Sequence, residues 1–141
     1  MDLNYYNTFI TVSPDTKAKA SAAPIPKGDK KTKAVIQYEL LSDHPYEYTQ
    51  EEILFETEYR HKGLTENEIA SRRSELWDSF FQKSHACLRT SPLCKTYGFG
   101  IHFDKAGKAA LYPMESDEYA AFAAGERGDV KVVSAMRSKR A

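Results

Sequence analysis

Between residues 85 and 108 the chain gathers most of the side chains that could do chemistry. His85, Cys87, Cys94 and His102 are the groups able to act as nucleophile, base or metal ligand. A cysteine attacks only as its thiolate, which a neighbouring cation or imidazole favours. Cys87 is therefore the candidate nucleophile, with His102 or His85 as its base. A metal site is not expected. The spacing H-x-C, six residues, C, seven residues, H matches none of the usual zinc patterns. No cofactor motif is present. Free cysteine is most often a small buried hydrophobe, which is the plain alternative for both thiols.

The same stretch is basic. Lys83, Arg89, Lys95, Lys105 and Lys108 stand against the single acid Asp104. The C-terminal run adds Lys131, Arg137, Lys139 and Arg140 against Asp129, whereas residues 34–82 carry eleven acids and four bases. Gly98 and Gly100 lie two apart in an alternating run and leave bare backbone beside His102, as at the floor of a groove. Together these residues suggest a cationic groove for an anionic ligand. Arg89, Lys95, His102, Arg137 and Arg140 would make the charged contacts. Ser91 and Tyr97 would donate neutral hydrogen bonds, and Gly98 and Gly100 would form the floor. The competing reading is a helix packed tightly on the two glycines.

The chain's 141 residues are enough for one domain with a real core. Lys plus Arg equals Asp plus Glu at 20 each, so the chain has no basic excess of the kind that coats nucleic acid. Two cysteines are too few for a disulfide scaffold. The N-terminal residues lack a basic signal-type segment, and no apolar run reaches spanning length. A soluble, cytoplasmic protein is expected, with no membrane partner and nucleic acid disfavoured.

The elements that must position these residues are read from pattern. Residues 8–12 (TFITV) are β-branched and aromatic and predict a strand. Residues 13–33 are rich in Ala, Lys, Pro and Ser and predict a mobile loop. Residues 34–42 fit a helix or, by the alternation of Ile36, Tyr38 and Leu40, a strand; a helix is expected, since Glu39, Leu40 and Leu41 are good helix formers and Pro45 follows. Thr49 with Glu52, and Thr65 with Glu68, form two capping boxes; they predict helices to about Lys62 and about Lys83. The second of these buries Ile69, Leu76, Trp77 and Phe80. Residues 97–103 alternate as a strand, Asp104 to Gly107 turns, and residues 108–112 return. Ser116 caps a short helix ending at Gly125, and residues 130–133 make a last strand. The fold expected is α+β. A small, largely antiparallel sheet comprises the N-terminal strand, the 97–112 hairpin and the C-terminal strand, packed by three to four helices.

The helix pair joined at Gly63 superficially matches a helix-turn-helix. Its second helix, however, opens Glu66-Asn67-Glu68, and those carboxylates would be repelled by phosphate. The loop His44 to Tyr48 is aromatic, and the staple at Tyr48 gives it a structural role.

Four stretches carry a resemblance that covers most of the chain apart from the Ala/Lys loop. They are NYYNTFI, KKTKAVIQYELLSDHPYEYTQEEILFE, FFQKSHACLRTSPLCKTYGFGIHFDKAGKAALYPMES and VKVVSAMRSKR. By these the chain resembles an uncharacterised family of small, single-domain bacterial and fungal proteins of unknown function. The resemblance implies threonine at the position of Cys94, which leaves Cys87 as the candidate thiol, and it implies no activity. Three classes of function therefore stand at this stage. The first is a non-enzymatic binding domain for an anionic small molecule or partner. The second is a cysteine-dependent enzyme using Cys87. The third is an interaction module whose 13–33 loop and C-terminal tail order on a protein partner.

Overall fold

A computed structural model describes residues 3–137. Arg140, one of the expected anion contacts, lies outside the described residues. Four strands form one sheet in the order β3-β2-β1-β4. They are β1 (Thr8–Thr11), β2 (Phe99–Phe103), β3 (Ala109–Pro113) and β4 (Lys131–Ser134). β1 pairs antiparallel with β2, and β2 with β3 through the turn at Gly107, which adopts φ +84°. β4 pairs parallel with β1. A parallel neighbour needs a crossover connection, and helix α6 (Asp117–Ala123) supplies it, carrying the chain from one sheet edge to the other.

The sheet is covered on both faces. On one, Ile10, Ile101, Phe103 and Ala109 pack with Ile36, Leu40 and Leu41 of α1 (Lys33–Asp43) and Ile53 of α2 (Gln50–His61). On the other, Phe9 stacks on Phe122 of α6 at 4.8 Å and meets Tyr119 edge-on at 5.3 Å. A second cluster lies away from the sheet. There Phe55 and Tyr59 of α2 pack against Ile69, Leu76 and Phe80.

Both capping boxes form as the sequence indicates, and α2 follows the first. The second does not start one long helix. The segment divides into α3 (Glu66–Ser71) and α4 (Arg73–Phe81), with Arg72 between them at φ −114°, ψ 18°. The Ser71 hydroxyl donates to the Glu68 carbonyl at 3.1 Å, a local bond that competes with helix continuation. Two short elements carried no periodic signal: a 3-10 turn at Leu88–Thr90 and the single-turn helix α5 at Pro92–Lys95, capped by Ser91. Together with the division into α3 and α4, they account for the larger number of helices.

The 13–33 segment, expected to be mobile, is tied to the α5–β2 corner. Ser13 N–H donates to Cys94 O at 3.0 Å, the Thr16 hydroxyl to Lys95 O at 2.9 Å, and Ala22 N–H to Tyr97 O at 3.0 Å. Ser21 bonds the Glu115 carboxylate through both its N–H and its hydroxyl.

Candidate functional site

The two glycines do not share an open floor. Gly98 precedes β2 at φ +78°, and a Cβ there would lie 2.8 Å from the Ala20 carbonyl oxygen. Gly100 lies within β2, where a Cβ would lie 2.5 Å from Phe9 Cζ and 2.7 Å from the Tyr119 ring. Both positions are glycine because neighbouring groups fill the space a side chain would need. The expectation of a groove floor is corrected on that ground.

The basic residues are also divided. The Arg89 Nε donates to the Ser134 carbonyl at 2.8 Å, and Met136 N–H donates back to Arg89 O at 2.8 Å. Arg89 thus braces the end of β4, and Arg137 follows on the exposed chain. Lys95 closes α5, held through its carbonyl by Thr16. Tyr97 packs against the main core. Ser91 is buried and fully used: its hydroxyl donates to Gln37 Oε1 at 2.7 Å and accepts from Leu93 N–H at 3.2 Å.

His102 stands on the α6 face. Its ring stacks on Phe122 at 4.3 Å, and its Nδ1 is 2.8 Å from the Tyr46 hydroxyl, which in turn meets Tyr112 at 2.6 Å. Burial, aided by Arg127 and opposed by Asp104, lowers its pKa. Cys87 lies against the other face. Its sulfur accepts a bond from the Tyr5 hydroxyl at 3.3 Å, and Tyr5 packs on Phe103, whose side chain points opposite to that of His102. A Cys87–His102 pair is therefore excluded by the alternation of β2. Cys94 is fully buried, and burial pushes its thiol up to about 12, so it is no nucleophile at neutral pH.

His85 is placed differently. It shares with Cys87 a cleft of about 280 Å³ between α1, α2, the end of α4 and residues 85–92. The His85 ring lies flat on Phe80 at 3.7 Å, and its Nε2 is 2.7 Å from the Phe80 carbonyl. A carbonyl only accepts, so in the neutral imidazole Nε2 carries the proton and Nδ1 keeps the lone pair. The backbone after Cys87 is set by Gln50. Its Oε1 accepts from Leu88 N–H at 2.9 Å, and its Nε2 donates to the Leu3 carbonyl. Tyr5 remains a donor to the sulfur, since burial and Cys87 push its pKa up to about 12.

The sequence reading missed the helical side of this cleft. Lys33 and Gln37 of α1 and Thr57 of α2 line it. Lys33 makes an exposed pair with Glu58 at 3.3 Å. Thr57 is only 3% exposed, and its hydroxyl is the one buried side-chain polar atom without a hydrogen-bond partner among the described residues. A helical threonine commonly returns its hydroxyl to the carbonyl one turn earlier; Thr57 does not. A buried hydroxyl left unpaired costs about 1–3 kcal/mol. The available signal was a polar residue inside each apolar helical run, Gln37 in AVIQYELL and Thr57 in ILFETEY.

A larger cleft, of about 770 Å³, lies where the C-terminal ends of α1 and α2 meet residues 29–31. Several of its charges are paired within the protein, Lys31 with Glu39 at 2.8 Å and Arg60 with Glu66 at 3.3 Å. Among the described residues no group of three or more His, Cys, Asp or Glu is placed to hold a metal ion, and no helix is long and apolar enough to cross a membrane.

The model of a family of unknown function (DUF6157) matches residues 1–141. No curated protein and no solved structure matches the chain.

Proposed function

The chain belongs to this family of unknown function over its whole length, and from its own residues we propose that it binds a small polar molecule in the cleft between α1, α2 and residues 85–92. The observation that carries this reading is the Thr57 hydroxyl, buried in the cleft wall without a partner. A ligand that supplies the missing hydrogen bond gains what the free protein lacks. Gln37 adds a donor, because Ser91 occupies its carbonyl oxygen and leaves the amide nitrogen as its other end. Lys33 at the rim gives a preference for an anionic group. Its exposed pair with Glu58 is of a kind worth about 0–1 kcal/mol, so a ligand carboxylate or phosphate can exchange for it. The anionic ligand expected from the sequence is thus proposed at the cleft and not over the glycines.

The test is thermal stability in the presence of a panel of small carboxylates and phosphate monoesters. A ligand at 100 times its Kd adds about 2.7 kcal/mol to stability. Thr57→Val is expected to leave the unliganded protein as stable as before, or more so, and to abolish the ligand's effect. Lys33→Gln is expected to weaken anionic ligands selectively. Undiminished stabilisation of the Thr57→Val protein would place the binding elsewhere.

A further inference from the structure

We propose that this chain pairs with a second copy of itself, the tip at residues 25–27 of each copy entering the larger cleft of the other. The tip is an exposed hydrophobe on a fixed support. Ile25 is 80% exposed, the highest value among the large apolar side chains of the described residues. The residue before it, Pro24, is buried, and Ala22 N–H donates to the Tyr97 carbonyl. On the other side Lys27 and Lys30 exchange both backbone hydrogen bonds, at 3.1 and 3.2 Å, around Gly28. Pro24 and Pro26 restrict the backbone about Ile25. A side chain held in place beforehand loses little freedom when it is buried by association. A single exposed apolar residue is ordinary on a protein surface. This one stands two residues before a turn whose far side, Asp29 to Lys31, forms one wall of the 770 Å³ cleft.

The cleft complements the tip in both polarity and charge. Ile36, Leu40 and Leu64 line it between charged rims. Asp43 stands on the rim at the C-terminal end of α1, makes no ion pair with a described residue, and belongs to a helix with no basic residue in its last turn. A carboxylate at the negative end of a helix dipole is unfavourable, and a cation supplied there is favourable. Lys27 on the tip and Lys30 beside it are likewise without an ion pair among the described residues. Residues 13–33 carry six Lys against two Asp, while residues 34–82, which form the rest of the cleft, carry eleven acids against four bases. Because tip and cleft adjoin on one molecule, a two-fold axis beside the turn lets each copy give its tip and receive the other's. Such a contact is self-complementary and closes at two copies.

Sedimentation equilibrium of the full chain, from micromolar to millimolar concentration, tests this. The expected result is a reversible equilibrium between monomer and dimer that weakens as salt is added. Ile25→Asp should weaken it by about 10–100-fold, the effect of losing one isoleucine buried on association. The side chain is exposed in the single chain, so circular dichroism and the thermal midpoint of the dilute variant should match the parent. Lys27→Glu and Asp43→Lys should each weaken the dimer, and the two combined in one chain should restore it. A protein that stays monomeric throughout, or a dimer as tight in Ile25→Asp as in the parent, would overturn the proposal. So would a combined Lys27→Glu and Asp43→Lys chain that associates no better than either single variant. The outcome is separate from small-molecule binding beside Thr57, because the two clefts share no lining residue.

Discussion

Tyr46 occupies the left-handed region at φ 61°, uncommon for a bulky residue. Its N–H donates to the Ala109 carbonyl, and its hydroxyl reaches both His102 and Tyr112. This Tyr46–His102–Tyr112 cluster makes His102 a pH-sensitive point of stability. Burial lowers the folded pKa below the unfolded value of about 6.5. The unfolded chain therefore binds the proton first. The contribution is complete above about pH 6.5 and is lost as pH falls through the folded pKa. Urea midpoints measured as a function of pH are expected to decline just below that value, and His102→Gln is expected to flatten this part of the profile. An identical decline in the variant would assign the effect to other groups. Asp104 and Arg127 face the same imidazole with opposite effects, so neutralising either should shift the decline in opposite directions.

Among the elements, α6 shows how a short amphipathic helix decides what a strand can carry. Ser116 caps it by accepting from Tyr119 N–H at 3.1 Å, and this first turn places Tyr119 and Phe122 over Phe9. The Tyr119 hydroxyl oxygen also accepts from Val12 N–H at 2.9 Å. Gly100 is the position that yields to this packing. Gly100→Ala brings a methyl group within 2.7 Å of both Phe9 and Tyr119, and overpacking of this kind costs about 1–3 kcal/mol. A lowered denaturation midpoint with an unchanged m-value is the expected outcome. A midpoint equal to that of the parent would mean that α6 moves aside easily and that the glycine face opens in solution. The capping boxes, by contrast, act within a few residues. Thr49 and Glu52 bond each other's backbone across one turn, which is why their helix start was legible.

At the scale of the molecule, Arg89 ties the last strand to the middle of the chain. Its guanidinium and its carbonyl hold Ser134 and Met136, and Ala135 N–H reaches Thr11 O at 3.0 Å. Arg89→Ala is expected to speed hydrogen exchange at Ala135 and Met136 strongly while leaving the β2–β3 amides nearly unchanged. Uniform acceleration would show that β4 opens only with the whole domain. The local signals of the sequence determined the α+β class, the strand of the N-terminus, the hairpin, and three helix starts. Caps, turns and alternation act between residues at most a few positions apart, so these elements form as read. The break at Arg72, the single turn after Ser91 and the parallel pairing of β4 had no such local mark. The site divides the same way. Residue type alone identified Cys87 and His85 as candidates. Only the tertiary structure separated Cys87 from His102, because the two lie against opposite faces of one sheet. Only packing closed the space over Gly98 and Gly100, and only the meeting of α1, α2 and residues 85–92 brought Gln37 and Thr57 beside Cys87. Those contacts join residues tens of positions apart, where burial of apolar surface and satisfaction of polar groups across the whole core, not neighbouring sequence, set what meets what.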